Sequence, residues 1–171
     1  MESAPPVFVR LVHGLVTLFA GVAGIALIGM LVLTVTNIGL RLFGDPYAGT
    51  FELVSFLSIV VVGMSLALAQ RYKTHVAIDI VVSRWSTRVQ LWVGAAITLF
   101  SAIIFLLLGQ ELIAYALNLQ DKGSVSDSLR WPYWPLALTL SVGILALALA
   151  LLADLVQIFH NLRSSQPESI W

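Results

Sequence analysis

The chain has 171 residues, 59% of them hydrophobic and only 11% charged, with a mean hydropathy of +0.96. Soluble domains carry roughly a quarter charged residues, so the composition excludes an ordinary soluble enzyme and describes a membrane protein. Net charge is zero and cysteine is absent, which excludes electrostatic capture of nucleic acid, disulfides, thiolate catalysis and Cys-ligated metal centres.

A transmembrane helix needs about 20 apolar residues to cross about 30 Å of hydrocarbon. Four spans are predicted, at about 15–40, 51–69, 89–112 and 133–159. Backbone polar groups in lipid must be satisfied within the segment, so the spans are helices. Arg10 precedes the first, and Gly21-Val22-Ala23 looks weakly like a cleavage site. The apolar run nevertheless continues to Leu40, beyond a signal-peptide core, and reads as an uncleaved anchor.

The second span opens with Thr50, Phe51 and Glu52. Thr50 is suited to cap the helix, and a carboxylate in the first turn complements the helix dipole. Capping or an interfacial salt bridge is therefore the plainest role for Glu52, with contact to a partner as the functional one.

Between spans two and three runs QRYKTHVAIDIVVSRW, residues 70–85. His75 and Asp79 are four apart and share a helix face, which Ser83 and Ser86 extend. Ala77, Ile78, Val81 and Trp85 fall toward the other side, the pattern of a short amphipathic interfacial helix over about 75–85. Alternation at Val76, Ile78, Ile80 and Val82 also fits a strand, but an isolated strand would leave its edges unpaired. One His and one Asp supply too few ligands for a metal site, so no metal or cofactor is expected.

Glu111 stands twenty-two positions after Val89, about 33 Å along a helix, which puts it near the outer interface. Asp154 falls near the cytoplasmic end of span four. No ionisable group is expected at the bilayer centre, where retained charges serve transport or proton relay. Secondary transporters bind near the midplane, often with broken helices. No span here has a proline beyond its first turn. Such helices describe a scaffold or subunit, not a complete ion-coupled transporter.

With the N-terminus inside, Arg10, Arg71, Lys73, Arg84, Arg88 and Arg163 are cytoplasmic, and Arg41, Lys122 and Arg130 lie outside. The excess of basic residues then places both termini in the cytoplasm. Trp131, Tyr133 and Trp134 form an aromatic belt at the outer entry of span four, where Pro132 or Pro135 suits the first turn. Small residues recur at helical spacing, at Ala20 and Gly24, Gly63 and Ala67, and Ala146 and Ala150. Such spacing permits close helix approach.

Two stretches carry a family resemblance. TFELVSFLSIVVVGMSLALAQRYKTHVAIDIVV, residues 50–82, has an acid opening the second span, a small step within it, a basic turn and His-x-x-x-Asp. Glu52, Gly63, Ser65, Arg71, His75 and Asp79 occupy those places. SDSLRWPYWPLALTLSVG, residues 126–143, has a Ser-rich loop, then Pro132 and Trp134. Over roughly residues 10–160 the chain resembles the small membrane subunit of tripartite ATP-independent periplasmic (TRAP) transporters. Many members carry a tryptophan before the helix-two acid and a second acid beside it; here Phe51 and Glu52 alone stand there.

The resemblance implies an all-α membrane protein of four transmembrane helices plus the interfacial segment, forming a single domain over 1–171 of the bacterial inner membrane. It implies a non-enzymatic role as a static scaffold for the large, elevator-type membrane subunit of a sodium-coupled organic-anion transporter. Implied partners are that large subunit, a transient periplasmic substrate-binding protein and membrane lipid. Substrate specificity would reside mostly in the other two subunits. Glu52, Gly63, Arg71, His75, Asp79, Pro132 and Trp134 are the candidate structural or subunit-contact residues. One alternative from another class is a haem-bearing membrane anchor of a respiratory oxidoreductase using His13 and His160. Another is a small autonomous exporter dependent on Glu52.

Overall fold

A computed structural model describes residues 7–44, 47–71 and 87–163. Among these described residues are four helices: α1 (Val7–Leu42), α2 (Thr50–Arg71), α3 (Thr87–Asp121) and α4 (Trp134–Arg163). Each contains a stretch long and apolar enough to cross a membrane. The amphipathic segment expected at 75–85 lies outside the described residues.

Local chemistry fixes the helix ends. α1 closes where the Gly44 N–H donates to the Arg41 carbonyl (3.2 Å) and Gly44 takes φ +83°. That left-handed conformation is cheap only for glycine. At the end of α3 the Ser124 N–H reaches back to Leu119 O (3.1 Å) and the Gly123 N–H to Gln120 O (3.0 Å), with Gly123 at φ +59°. This Schellman arrangement satisfies the last carbonyls and reverses the chain. α4 starts from Tyr133, whose carbonyl accepts the Leu136 and Ala137 N–H groups. Pro135 thus falls in the first turn, where a missing N–H costs nothing. Pro132 precedes the helix.

α4 is the organising element. It packs against α1, α2 and α3, α1 packs on α2, and α3 rests chiefly on α4. In the most apolar stretch of α4, 44% of residues are buried, against 17% in each other helix. Burial between helices in lipid gains little hydrophobic energy, so close van der Waals contact must hold them, and that favours small residues. The core fits this: Ala146, Ala150 and Ala153 of α4 meet Ala67 of α2, Ala102 of α3 and Val9, Val12 and Val16 of α1.

Gly63 and Gly143 mark the closest crossing. A methyl group on Gly143 would overlap the Gly63 carbonyl, and one on Gly63 would stand 3.2 Å from Leu140 Cα. On α1 the buried small residues are Ala23 and Ala26, whereas Gly24 faces open space. The Ala20–Gly24 spacing is therefore not a helix contact in this bundle.

α3 continues from Ile113 to Asp121, past its predicted span. The extension remains helical because Leu112, Tyr115 and Leu119 keep an apolar stripe facing α4, beside Tyr133, Leu136 and Leu140. Glu111 consequently lies ten residues inside the helix end, about 15 Å along the axis, and not at that end.

Candidate functional site

The candidate residues that the fold brings together lie at the end of the bundle carrying the α1–α2 and α3–α4 connections. Gly49 occupies the cap position of α2, its carbonyl accepting the Leu53 N–H at 3.1 Å. Thr50 does not cap the helix. Its buried hydroxyl donates to Tyr47 O at 2.8 Å and closes the preceding turn. The Tyr47 N–H is held by Asn37 Oδ1 of α1 at 2.9 Å, so the turn is tied to both helices.

Glu52, in the first turn, reaches across to the α3–α4 hairpin. Its Oε1 accepts the Ser128 N–H at 2.7 Å and its Oε2 the Leu129 N–H at 3.0 Å. Both oxygens of an anion thus receive backbone donors, a charge-assisted bidentate contact, beside a helix N-terminus that favours negative charge. Glu52 therefore latches a loop, rather than capping its own helix or joining a salt bridge.

The hairpin is shaped to fit that latch. The Ser126 N–H donates to Trp131 O (2.8 Å), the Trp131 N–H to the fully buried Ser126 Oγ (3.2 Å), and the Tyr133 N–H to Ser124 O (3.2 Å). Val125 and Pro132 form an antiparallel bridge. Arg130 sits at φ +57°, left-handed for a non-glycine residue and therefore strained. Gly49 lies directly beneath the hairpin, where a Cβ would stand 2.8 Å from Leu129 Cδ2 and the leucine side chain would have to shift.

One helical turn after Glu52, on the same face, Phe56 completes the contact. Its ring stacks on Trp131 (centroids 6.2 Å, planes 12° apart) and meets Tyr133 edge-on (6.1 Å, 89°). Below this contact a cleft of about 320 Å³ opens between α2 and α3, floored by Leu136 and Leu140 of α4.

At the opposite end of the bundle, Gln70 Nε2 donates to Asp154 Oδ2 at 3.1 Å and joins α2 to α4. Among the described residues no group of His, Cys, Asp or Glu is arranged to hold a metal ion.

The candidates from the sequence therefore separate. Glu52 and the hairpin containing Pro132 come together, with the partly buried Trp134 opening the helix behind them. Gly63 belongs to the helix crossing, and Arg71 is the last residue of α2. His75 and Asp79 lie outside the described residues. Sequence reasoning missed Phe56, Ser126 and Gly143. A phenylalanine or a glycine in an apolar helix, or a serine in a polar loop, carries no signal of its own.

A central small-residue helix, three helices packed on it and a polar latch closing one end define a multi-pass α-helical membrane protein. Residues 30–161 match the family model for tripartite ATP-independent periplasmic transporters, DctQ component. The chain belongs to that family, whose members are the small membrane component of these transporters. No match was found among curated proteins or solved structures.

Proposed function

We propose that the protein is the static scaffold subunit of a sodium-coupled TRAP transporter for organic anions, docked beside the large membrane subunit in the inner membrane. Its termini face the cytoplasm, and the Glu52 latch faces the periplasm, where the substrate-binding protein docks transiently. It performs no chemistry itself.

The observation that carries this reading is the outward surface of α1 and α3. Ile25 (73% exposed) and Leu31 (66%) on α1, and Phe100 (67%) on α3, belong to long apolar faces that the bundle does not cover. A large contiguous apolar face marks contact with lipid or a partner. Here it flanks a body held by glycine and alanine contacts and by a latched hairpin, a construction suited to keeping its shape while a neighbour moves. Family membership favours this over a haem-bearing anchor.

The test is gentle solubilisation of the tagged protein from its native host, with mass spectrometry of what co-purifies. A stoichiometric, much larger polytopic protein, and sodium-dependent uptake that disappears without the small subunit, are expected. Recovery alone, or with haem or flavin subunits, overturns the proposal.

A further inference from the structure

α3 has two opposite faces with the same seven-residue period. Among the described residues, those it buries are Ala95, Ala102, Gly109 and Ala116, each seven after the last. Part of this row rests directly on α4. Ser141 Oγ donates to Gly109 O at 2.9 Å, and Leu145 covers Gly109 so closely that a Cβ there would stand 2.8 Å from Leu145 Cγ.

The opposite row runs through Ile97, Phe100, Ile104, Leu107 and Glu111, spaced 3, 4, 3 and 4. All five are exposed. That spacing is the a/d seam of helix-on-helix packing, in which one polar residue in an apolar seam fixes register. The seam from Ile97 to Glu111 is fourteen residues long, about 21 Å, enough for a lengthwise helix contact.

Glu111 makes the occupant specific. It sits two residues from Gly109, which is level with Ser141, seven residues into α4. Since α3 runs toward the start of α4, Glu111 is about 7 Å below that start, inside the apolar span of α3. Its side chain is exposed, and among the described residues nothing in the chain pairs with it. A carboxylate facing hydrocarbon is expensive and ordinarily finds a partner in the bundle interior or in another chain.

Lipid tails carry no donor at that depth. A second copy of this chain serves no better. A two-fold axis along the membrane normal would set Glu111 against Glu111, and every Lys and Arg lies at positions 10, 41, 71, 73, 84, 88, 122, 130 or 163, none within 97–121.

We propose that this α3 seam docks lengthwise on a transmembrane helix of the larger membrane subunit, and that this helix carries a basic side chain level with Glu111. The inference rests on the functional reading above and assigns its interface.

The native chain lacks cysteine, so single cysteines report position directly. Leu107→Cys and Ala114→Cys, labelled with a photoreactive maleimide in membranes holding the whole transporter, should crosslink to one helix of the large subunit. Glu111→Gln should leave the amount of large subunit co-purified within about two-fold of wild type. Glu111→Lys should lower it at least ten-fold, and reversing the charge of the basic residue that the crosslinked helix carries level with Glu111 should restore it. Crosslinks only to lipid or to a second copy overturn the inference, as does undiminished assembly of Glu111→Lys. The cysteine variants keep the test decisive if Glu111→Lys fails to insert. A wild-type protein that recovers no large subunit overturns instead the functional reading.

Discussion

Phe56 of α2 lies flat against Trp131 of the α3–α4 hairpin, with ring centroids 6.2 Å apart and planes inclined by 12°. One turn earlier on the same helix, Glu52 holds the two amides at the hairpin's tip. The first two turns of α2 thus grip a loop more than seventy positions away, with an anion at one point and an aromatic ring at the next. The hairpin is presented as a fixed surface rather than a loose connection.

If Glu52 is the latch, its removal should free the hairpin and leave the helices in place. In Glu52→Ala both acceptors are lost, and hydrogen exchange at Ser128 and Leu129 should accelerate by about ten-fold or more while amides in α3 and α4 keep their protection. Glu52→Gln retains one oxygen and loses the charge, so it should fall between the two. Hydrogen-exchange mass spectrometry over residues 124–133 makes the measurement. Unchanged protection in Glu52→Ala would reduce the latch to a passive surface contact.

Phe56→Leu keeps apolar bulk and removes the stacking. An aromatic pair is worth about 0.5–1.5 kcal/mol beyond its area, and destabilisation of that order is expected in detergent, with a shift in tryptophan emission from Trp131. Because Phe56 and Glu52 grip one hairpin, the double variant Glu52→Gln/Phe56→Leu should cost less than the sum of the single changes. Strict additivity would show that the two contacts act independently.

Glycine substitutions should take opposite signs in two helices. A Cβ on Gly143 collides with the Gly63 backbone, which cannot yield as a flexible side chain does. Gly143→Ala should cost about 1–3 kcal/mol, as overpacking of a close contact does. Gly94 of α3 has nothing within 4 Å of where a Cβ would stand. Gly94→Ala should be neutral or stabilise by up to about 1 kcal/mol, by removing unfolded-chain freedom. Thermal unfolding of the two variants in one detergent is the check. A tolerated Gly143→Ala would mean that α2 and α4 separate more easily than their contact implies.

Much of this was legible in the sequence. Four apolar runs separated by short polar stretches dictate four helices, because lipid leaves the backbone no other way to satisfy itself. Glu52, Gly63 and Pro132 stood out by residue type and place. Their counterparts did not. Glu52 binds main-chain amides 76 and 77 positions away, and a backbone N–H is the same in every residue but proline. Gly63 meets Gly143, one of 12 glycines, and only the path of α4 shows which of them it touches. The full length of α3 was hidden for another reason. Gln110 and Glu111 resemble the polar close of a span, yet the apolar stripe through Leu112, Tyr115 and Leu119 carries the helix onward to Asp121.

The Gln70–Asp154 contact offers a last test, at the far end of the same pair of helices. It joins α2 to α4 at 3.1 Å through partly buried side chains. Interhelical hydrogen bonds in membrane proteins average about 0.6 kcal/mol and reach about 1.7. Gln70→Leu should therefore destabilise by no more than that, less than Gly143→Ala. The reason is physical: an unfolded chain in a membrane also finds partners for its polar groups, whereas nothing compensates for a methyl group driven into a carbonyl. If unfolding ranks Gln70→Leu above Gly143→Ala, polar contacts rather than close backbone approach hold α2 on α4, and the bundle's rigidity must be sought at its Gln70 end.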